Sequence, residues 1–181
     1  MFDIRNATHS DSSGIIKIID KHLIVNKKEK SSHLESQGFL KCPHTIEDIQ
    51  SFILNHEKYL VLVAESHNQI SGFAICCDIK MIPNLQPYLA ALPQINNSSK
   101  IFYLKQIAKI ESVKGVGPML MQSILQHANL KNYHYVVSQI VHSPVKNKRS
   151  IQFHVKSGFE HVSVVEEKGY STGVYLKEIS Q

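Results

Sequence analysis

The sequence predicts an α/β sandwich on a sheet that is partly parallel and partly antiparallel. Hydrophobic periodicity gives the order strand, two helices, three strands, helix, strand, helix, two strands. The strand–helix–strand step at the centre of this order predicts a parallel pair of strands. The chain has 181 residues, 43% of them hydrophobic, which is enough for one packed core. We therefore expect a single domain over residues 1–181.

The first third of the chain contains the patterns of one strand and two helices. Residues 4–8 predict a short strand, and isoleucines at helical spacing follow a helix start near Ser10. Residues 24–44 are polar, charged and rich in Ser and His, which predicts a loop with room for a short helix. A second helix is expected to begin at Thr45, where an acidic residue three positions later forms a capping box, and to end near His56.

The middle of the chain predicts three strands. The β-branched and aliphatic runs 59–65 and 70–77 form the first two, with a hairpin turn at residues 67–69. Residues 82–100 contain three prolines and end in Asn-Asn-Ser-Ser, which predicts an irregular crossover or lid. A long strand follows over residues 101–110.

The last third alternates helices and strands. After the glycines of residues 115 and 117, apolar residues recur three and four apart as an amphipathic helix, and Pro118 suits its first turn. A strand at 135–141, a helix at about 148–156 and strands near 160–166 and 170–178 complete the domain.

Composition excludes several functional classes. No apolar run approaches the roughly 20 residues that cross a bilayer, and the N-terminus lacks the layout of a signal peptide. We therefore expect a cytoplasmic protein with no membrane role. The formal charge of +5 favours anionic ligands over polycationic ones. The basic clusters at residues 27–30 and 146–149 are too short to indicate nucleic-acid binding.

Cysteines and histidines indicate no bridge or metal. Cys76 and Cys77 are adjacent in a strand, so their side chains should point to opposite faces, and Cys42 stands apart. The eleven histidines lack a His-x-x-x-His spacing with a third ligand. We expect structural thiols and no metal site.

The segment Ser112–Gly117, between a strand and a helix, is a candidate anion site. Glycines at 115 and 117 let main-chain N–H groups approach a ligand, and the helix N-terminus behind them adds partial positive charge. A pyrophosphate is the natural occupant. A Rossmann loop would need a small residue where Leu120 stands, and a Walker loop would need Gly-Lys-Ser/Thr, which is absent. A glycine turn without any ligand remains the alternative.

Two segments carry a resemblance to a known family. Residues 103–117 resemble the fourth strand and the Q/R-x-x-G-x-G/A pyrophosphate loop of the GNAT superfamily of N-acetyltransferases. Residues 147–159 resemble its N-x-x-[SA]-x-x-[FL]-[YH]-x-x-x-G-F segment. The resemblance implies a mostly antiparallel sheet of six to seven strands, helices on both faces and a central βαβ acyl-CoA site. Ser112, in place of Gln or Arg, and Pro118, which has no N–H, depart from the pattern.

The resemblance implies transfer of an acetyl group from acetyl-CoA to a primary amine by direct attack in a ternary complex. The acceptor is a small molecule or a peptide, and the protein is a monomer or a homodimer. A non-catalytic module that senses CoA or binds a protein is the alternative. Residues expected to bind the cofactor are Gln106, Ile107, Ala108, Lys109, Val113, Lys114, Gly115, Val116, Gly117, Met119, Asn147 and Phe153.

Catalytic roles also follow from the resemblance. A main-chain N–H near Ile107 or Ala108 is expected to stabilise the oxyanion. His154 stands where most members have a tyrosine, and we expect it to protonate the leaving thiolate. Glu111 is the first candidate for the general base, with Glu65 and His142 as further candidates.

Overall fold

The computed structural model describes residues 2–24, 31–167 and 169–179, with residues 31–33 and 167 by main chain alone. The strands are β1 (Asp3–Asn6), β2 (Tyr59–Ser66), β3 (Gln69–Asp78), β4 (Ile101–Lys109), β5 (Tyr135–Ser143), β6 (Glu160–Glu167) and β7 (Tyr170–Glu178). The helices are α1 (Ser12–His22), α2 (Ser31–Gln37), α3 (Ile46–Leu54), α4 (Gln86–Ala90), α5 (Val116–Leu130) and α6 (Lys148–Lys156).

The seven strands form one sheet in the order β1-β2-β3-β4-β5-β7-β6. The pairs β1–β2, β5–β7 and β6–β7 are antiparallel, and β4–β5 is parallel. β2 and β3 are joined by a tight turn in which His67 and Asn68 have φ of +50° and +59°, the conformation of a hairpin turn. The predicted α/β class with a mixed, mostly antiparallel sheet is confirmed.

The predicted elements agree with the structure to within a few residues, and two short helices add to them. The polar segment 24–44 contains α2, and the proline-rich crossover 82–100 contains α4. Two single turns of 3₁₀ helix, Ile79–Met81 and Pro83–Leu85, precede α4. The basic cluster at residues 27–30 lies outside the described residues. The chain separates into two compact units, and β3, β4 and α5 contribute residues to both. The expectation of a single domain stays a prediction.

The first unit contains β1, α1, α3, β2, most of β3, the end of β4 and the start of α5. Its core forms where α1 and α3 pack on β2 and β3, and the buried side chains there include Ile15, Ile19, Ile49, Val63 and Phe73. Thr45 caps α3, since its hydroxyl accepts from the N–H of Asp48. The capping box predicted at Thr45 is confirmed.

An ion-pair network joins β1 to the start of α1. Asp11 accepts two hydrogen bonds from the Arg5 guanidinium, at 2.7 and 3.0 Å, and two from Thr8. Arg5 also pairs with Glu65 of β2 at 2.6 Å. The Arg5 guanidinium, outweighing the opposite effect of burial, lowers the pKa of Asp11 to about 2.

The second unit contains α2, the end of β3, α4, the start of β4, the end of α5, β5, α6, β6 and β7. Residues 135–143 of β5 run antiparallel to residues 171–178 of β7, and β6 pairs with the other side of β7. α2 packs against α6. Lys148 of α6 forms an ion pair with Glu35 of α2 at 2.6 Å. α2 therefore lies against the N-terminal part of α6.

No helix in the described part of the chain is both long enough and apolar enough to span a bilayer. None of the cysteines, all of which lie in that part, is disulfide-bonded. Cys76 and Cys77 are buried in β3, and Cys42 is exposed. The prediction that the adjacent cysteines do not bridge is confirmed.

Candidate active site

The junction between β4 and α5 is an open, main-chain surface. Ser112, Lys114 and Gly115 in the connecting loop are exposed to solvent. Gly115 has φ of +85°, a conformation that only glycine adopts readily. Apart from Gly115 and its two chain neighbours, no described residue has a heavy atom within 4 Å of the position that a Cβ on Gly115 would take. A ligand can therefore approach the main chain at Gly115 directly.

Gly72 of β3 sets the start of α5. A Cβ on Gly72 would lie 2.5 Å from Val116 Cγ1 and 3.0 Å from the Ala108 carbonyl oxygen. The neighbouring Ser71 carbonyl accepts from the N–H of Ile110 at 2.8 Å. This contact was not predicted from the sequence, although a glycine inside a strand pattern is the usual signal of close main-chain approach.

The amides of the junction fall into two groups. The N–H of Val113 donates to the Ile110 carbonyl at 3.2 Å, and the N–H of Met119 donates to Gly115 at 3.3 Å. These two amides, expected to hold phosphates, are thus used within the loop and the helix. The N–H groups of Val116 and Gly117 have no acceptor inside α5, because the first turn of a helix offers none, and they carry its partial positive charge.

The side chain of Lys109 folds back into the same loop. Its Nζ donates to the carbonyl oxygens of Ile110, Glu111 and Val113 at 3.1, 3.1 and 2.7 Å. Cofactor binding by Lys109 stays a prediction, and these contacts of its side chain were not predicted from the sequence. The ammonium organises the loop backbone.

Gln106 is the buried polar residue of β4. Its Nε2 donates to the Cys42 carbonyl at 2.8 Å, whereas its Oε1 is buried and has no hydrogen-bond partner among the described residues. Ile107 and Ala108, which follow it, are half-buried. Nearby, His22 Nε2 donates to the Lys109 carbonyl at 2.9 Å. Gln106 therefore presents one acceptor that a ligand N–H can satisfy.

In the second unit, Asn147 caps α6. Its Oδ1 accepts from the N–H of Ser150 at 3.2 Å, and only 5% of the residue is exposed. Gly38, which follows α2 with φ of +77°, lies against it, since a Cβ there would be 3.4 Å from Asn147 Oδ1. Asn147 is therefore a helix-capping residue. Cofactor binding by Asn147, and by the half-buried Phe153, stays a prediction.

His154 is buried in an aromatic cluster. Its ring centroid lies 5.5 Å from Phe153, 5.1 Å from Phe159 and 6.4 Å from Tyr175. Nδ1 donates to the Ser150 carbonyl at 2.8 Å, because a carbonyl can only accept, so Nε2 carries a lone pair. Nε2 is buried with no partner among the described residues. Burial, opposed by the weaker effect of the bond to Ser150, lowers the pKa of His154 to about 4.

His142 lies at the end of β5 in contact with Tyr175 and His161. Its Nε2 is 3.0 Å from the Tyr175 hydroxyl, and the His142 and His161 rings are 5.1 Å apart. The ring rests on Gly173, where any Cβ would overlap it. Burial, followed by the influence of His161 and Lys146, lowers the pKa of His142. The imidazole is therefore neutral near pH 7.

The other two base candidates occupy different surroundings. Glu65 accepts from Arg5 Nε at 2.8 Å, so its carboxylate already takes part in the ion pair on β1 and β2. Glu111 is exposed in the β4–α5 loop. Across the described residues, no three His, Cys, Asp or Glu side chains are grouped so that they could hold a metal ion.

The sequence matches a protein-family model. The model of the Acetyltransferase (GNAT) family matches residues 27–159, which is most of the sequence. The chain therefore belongs to the GNAT family, as the two motif segments predicted. Among curated proteins, none matches the sequence significantly.

Solved structures show the same fold. The N-acetyltransferase from Staphylococcus aureus Mu50 has 21% identity and a TM-score of 0.68, with 99% of each chain covered. Ard1 from Thermoplasma volcanium has 15% identity, a TM-score of 0.68 and 99% of each chain covered. The ribosomal-protein-alanine N-acetyltransferase from Brucella melitensis has 18% identity and a TM-score of 0.64, covering 97% of this chain and 99% of the other. At such identities the agreement concerns the fold.

Proposed function

We propose that this GNAT protein transfers an acetyl group from acetyl-CoA to a primary amine by direct attack in a ternary complex. One observation carries the proposal: in a chain of this family, the β4–α5 junction presents bare main chain at Gly115 and the first-turn amides of α5 to solvent. Donors of this kind suit a diphosphate. The junction binds the diphosphate of acetyl-CoA.

Two features of the first unit fit acetyl-CoA. The space above Gly115 leaves room for phosphate oxygens. Gln106 Oε1, which has no hydrogen-bond partner within the described residues, is an acceptor for an amide N–H of the pantetheine arm. When bound, acetyl-CoA supplies the activated acetyl group as a thioester. Gln106 and the main chain through Lys109 hold the arm beside β4.

We assign stabilisation of the oxyanion to the main chain of β4. The β4–β5 register joins Ile101–Leu104 to Tyr135–Ser138, whereas β4 itself runs on to Lys109. Ile107 and Ala108 lie beyond the registered pairs. Successive N–H groups of a strand point to opposite edges, so one of these two faces the edge where the β5 register has ended, and that N–H is the donor to a developing negative charge on the carbonyl oxygen. A single such donor contributes roughly 3 kcal/mol to lowering the barrier in known cases.

His142 is the strongest of the three base candidates. It is neutral near pH 7, and its Nε2 has a defined neighbour in the Tyr175 hydroxyl. A neutral imidazole can take a proton from an ammonium, directly or through water. Glu65 is already paired with Arg5, and the exposed carboxylate of Glu111 forms no ion pair or side-chain hydrogen bond in the part of the chain that the structure describes. We assign proton acceptance to His142.

The role of His154 as thiolate acid stays a prediction, and two observations oppose it. A pKa of about 4 leaves the ring uncharged at neutral pH, and its only N–H donates to Ser150. If His154→Phe retains acetyl transfer, another group or solvent protonates the thiolate. If the variant binds CoA without turnover, His154 is required. If the wild type itself binds CoA but acetylates no amine, the chain is a CoA-binding module.

The acceptor screen should include small amines and peptide N-termini. Peptides are included because a structural neighbour bears the name ribosomal-protein-alanine N-acetyltransferase. Thiol release from acetyl-CoA reports turnover with each amine, and light scattering on the same samples distinguishes a monomer from a homodimer.

The decisive test compares two glycines. Gly115 and Gly169 have φ of +85° and +86°, and at both no heavy atom of the described residues lies within 4 Å of a Cβ position. Alanine should therefore cost about 1 kcal/mol of stability at each. Only Gly115→Ala should weaken CoA binding, by roughly tenfold, because its methyl group occupies the phosphate approach.

Calorimetric titration of CoA into the wild type and both variants measures this difference. Thermal unfolding with saturating CoA provides a second reading, since ligand at 100 times its Kd adds about 2.7 kcal/mol. Equal affinity in Gly115→Ala and Gly169→Ala would place the diphosphate elsewhere. A wild type that binds neither CoA nor acetyl-CoA would refute the proposed function.

A further inference from the structure

We propose that Lys109 is the positioning residue of the phosphate loop: its ammonium binds three loop carbonyls and thereby turns three loop amides outward toward the diphosphate. The inference rests on the proposed function, because it assumes that the β4–α5 junction receives the diphosphate of CoA. It assigns the Lys109 side chain a role that differs from contact with the pantetheine arm.

The loop offers three acceptors to the Lys109 ammonium. A lysine ammonium has three N–H donors, and the carbonyls of Ile110, Glu111 and Val113 lie 3.1, 3.1 and 2.7 Å from Nζ. The Ile110 carbonyl also accepts from the N–H of Val113 at 3.2 Å, which closes the chain around the ammonium. The loop backbone is thus wrapped around a cation supplied by the last residue of β4.

Because three loop carbonyls point toward the Lys109 ammonium, three loop N–H groups point away from it. In a trans peptide unit the C=O and the following N–H point in opposite directions. The carbonyls of residues 110, 111 and 113 face Nζ, so the N–H groups of Glu111, Ser112 and Lys114 face away from it. Ser112 and Lys114 are exposed. These amides add to those of Val116 and Gly117 at the start of α5.

The charge of Lys109 also favours binding of an anionic ligand to the loop. The positive charge of the ammonium has the same sign as the partial charges of the outward amides and of the α5 N-terminus. The uncharged Ser112 contributes no such charge from within the loop. Lys109 therefore both orders the loop and raises its attraction for a diphosphate.

The test compares ligands that differ in their phosphates. We would titrate CoA, dephospho-CoA and pantetheine into ¹⁵N-labelled wild type, Lys109→Met and Lys105→Met, and obtain each Kd from amide shifts. Lys105, on the same strand, is a control for the loss of one positive charge. Lys109→Met should raise the Kd of CoA and of dephospho-CoA by at least roughly tenfold. The Kd of pantetheine for Lys109→Met, and the Kd of each ligand for the control Lys105→Met, should change by less than about twofold.

The wild type alone supplies a second reading if Lys109→Met does not fold. The amide signals of Glu111, Ser112 and Lys114 should move with CoA and dephospho-CoA and stay unmoved with pantetheine. Equal weakening of all three ligands in Lys109→Met, or unmoved loop amides in the wild type, would overturn the proposal. If the wild type binds CoA in those cases, only the role of Lys109 is refuted. If the wild type binds no CoA, the proposed function is refuted as well.

Discussion

Replacing His154 with phenylalanine should flatten the acid dependence of the unfolding free energy between about pH 7 and pH 5. The imidazole is 2% exposed and packs against Phe153, Phe159 and Tyr175, so an aromatic ring of similar size should fit. Phenylalanine also removes the buried Nε2 that lacks a partner among the described residues. The Ser150 carbonyl loses one donor, but it still accepts the helical N–H within α6.

The sign follows from the pKa of the native ring, about 4, against an unfolded value of 6.5. Between these values the unfolded imidazole binds a proton and the native one does not, so the unfolding free energy falls as the pH falls. At 1.36 kcal/mol per pKa unit, the loss is about 2 kcal/mol at pH 5 and about 3 kcal/mol once the pH is below both values. His154→Phe should lack this part of the loss.

Urea unfolding followed by circular dichroism measures the effect, which suits a chain without tryptophan. The wild type, His154→Phe and His56→Gln are compared at pH 7, 6 and 5, with the exposed His56 as the control for loss of one histidine. Between pH 7 and pH 5 the unfolding free energy of His154→Phe should fall by about 2 kcal/mol less than that of the wild type. His56→Gln should follow the wild type. Parallel curves for all three proteins would mean that His154 is not held neutral by burial, and the argument against its acid role would fail.

Two further predictions concern the first unit. Asp11→Ala should cost about 2 to 4 kcal/mol at pH 7, because it leaves the Arg5 guanidinium and the Thr8 N–H without their main acceptor. The native pKa of Asp11 is about 2 and the ordinary value is 3.8, so the unfolding free energies of wild type and variant should converge as the pH falls through that interval. Urea titrations at pH 7 and pH 3 test this, and an unchanged difference between the two proteins would contradict it. Gly72→Ala should cost about 1 to 3 kcal/mol and also weaken CoA binding, because the methyl group displaces Val116 and the start of α5. Calorimetry and urea unfolding on the same sample measure both effects, and a stable variant with full affinity would show that Gly72 does not seat α5.

The fold could be predicted because its signals are local. The spacing of Leu120, Ile124 and Ala128 marks the buried stripe of α5, and the acid after Thr45 marks the cap of α3. Both depend on residues three or four apart. α2 and α4 were harder to predict, because short helices in polar or proline-rich segments form through contacts with distant elements such as α6.

The site could be predicted only as far as its main chain. The glycines at 115 and 117 indicate exposed amides, since the missing side chain is itself the signal. The position of the Lys109 ammonium depends on how the loop backbone closes, and a lysine before a glycine loop gives no sign of it. The burial of His154 depends on Tyr175, which β7 brings alongside from a distant part of the sequence. Spacing within a motif cannot report such neighbours.

The contact between Gly173 and the His142 ring has a consequence for how this sequence can vary. Any larger residue at 173 would displace the imidazole from its place beside the Tyr175 hydroxyl. Loss of the imidazole, in turn, would leave a gap above a glycine in the middle of β7. Positions 142 and 173 are thus constrained jointly, and homologues that keep a histidine at the first should keep a glycine at the second.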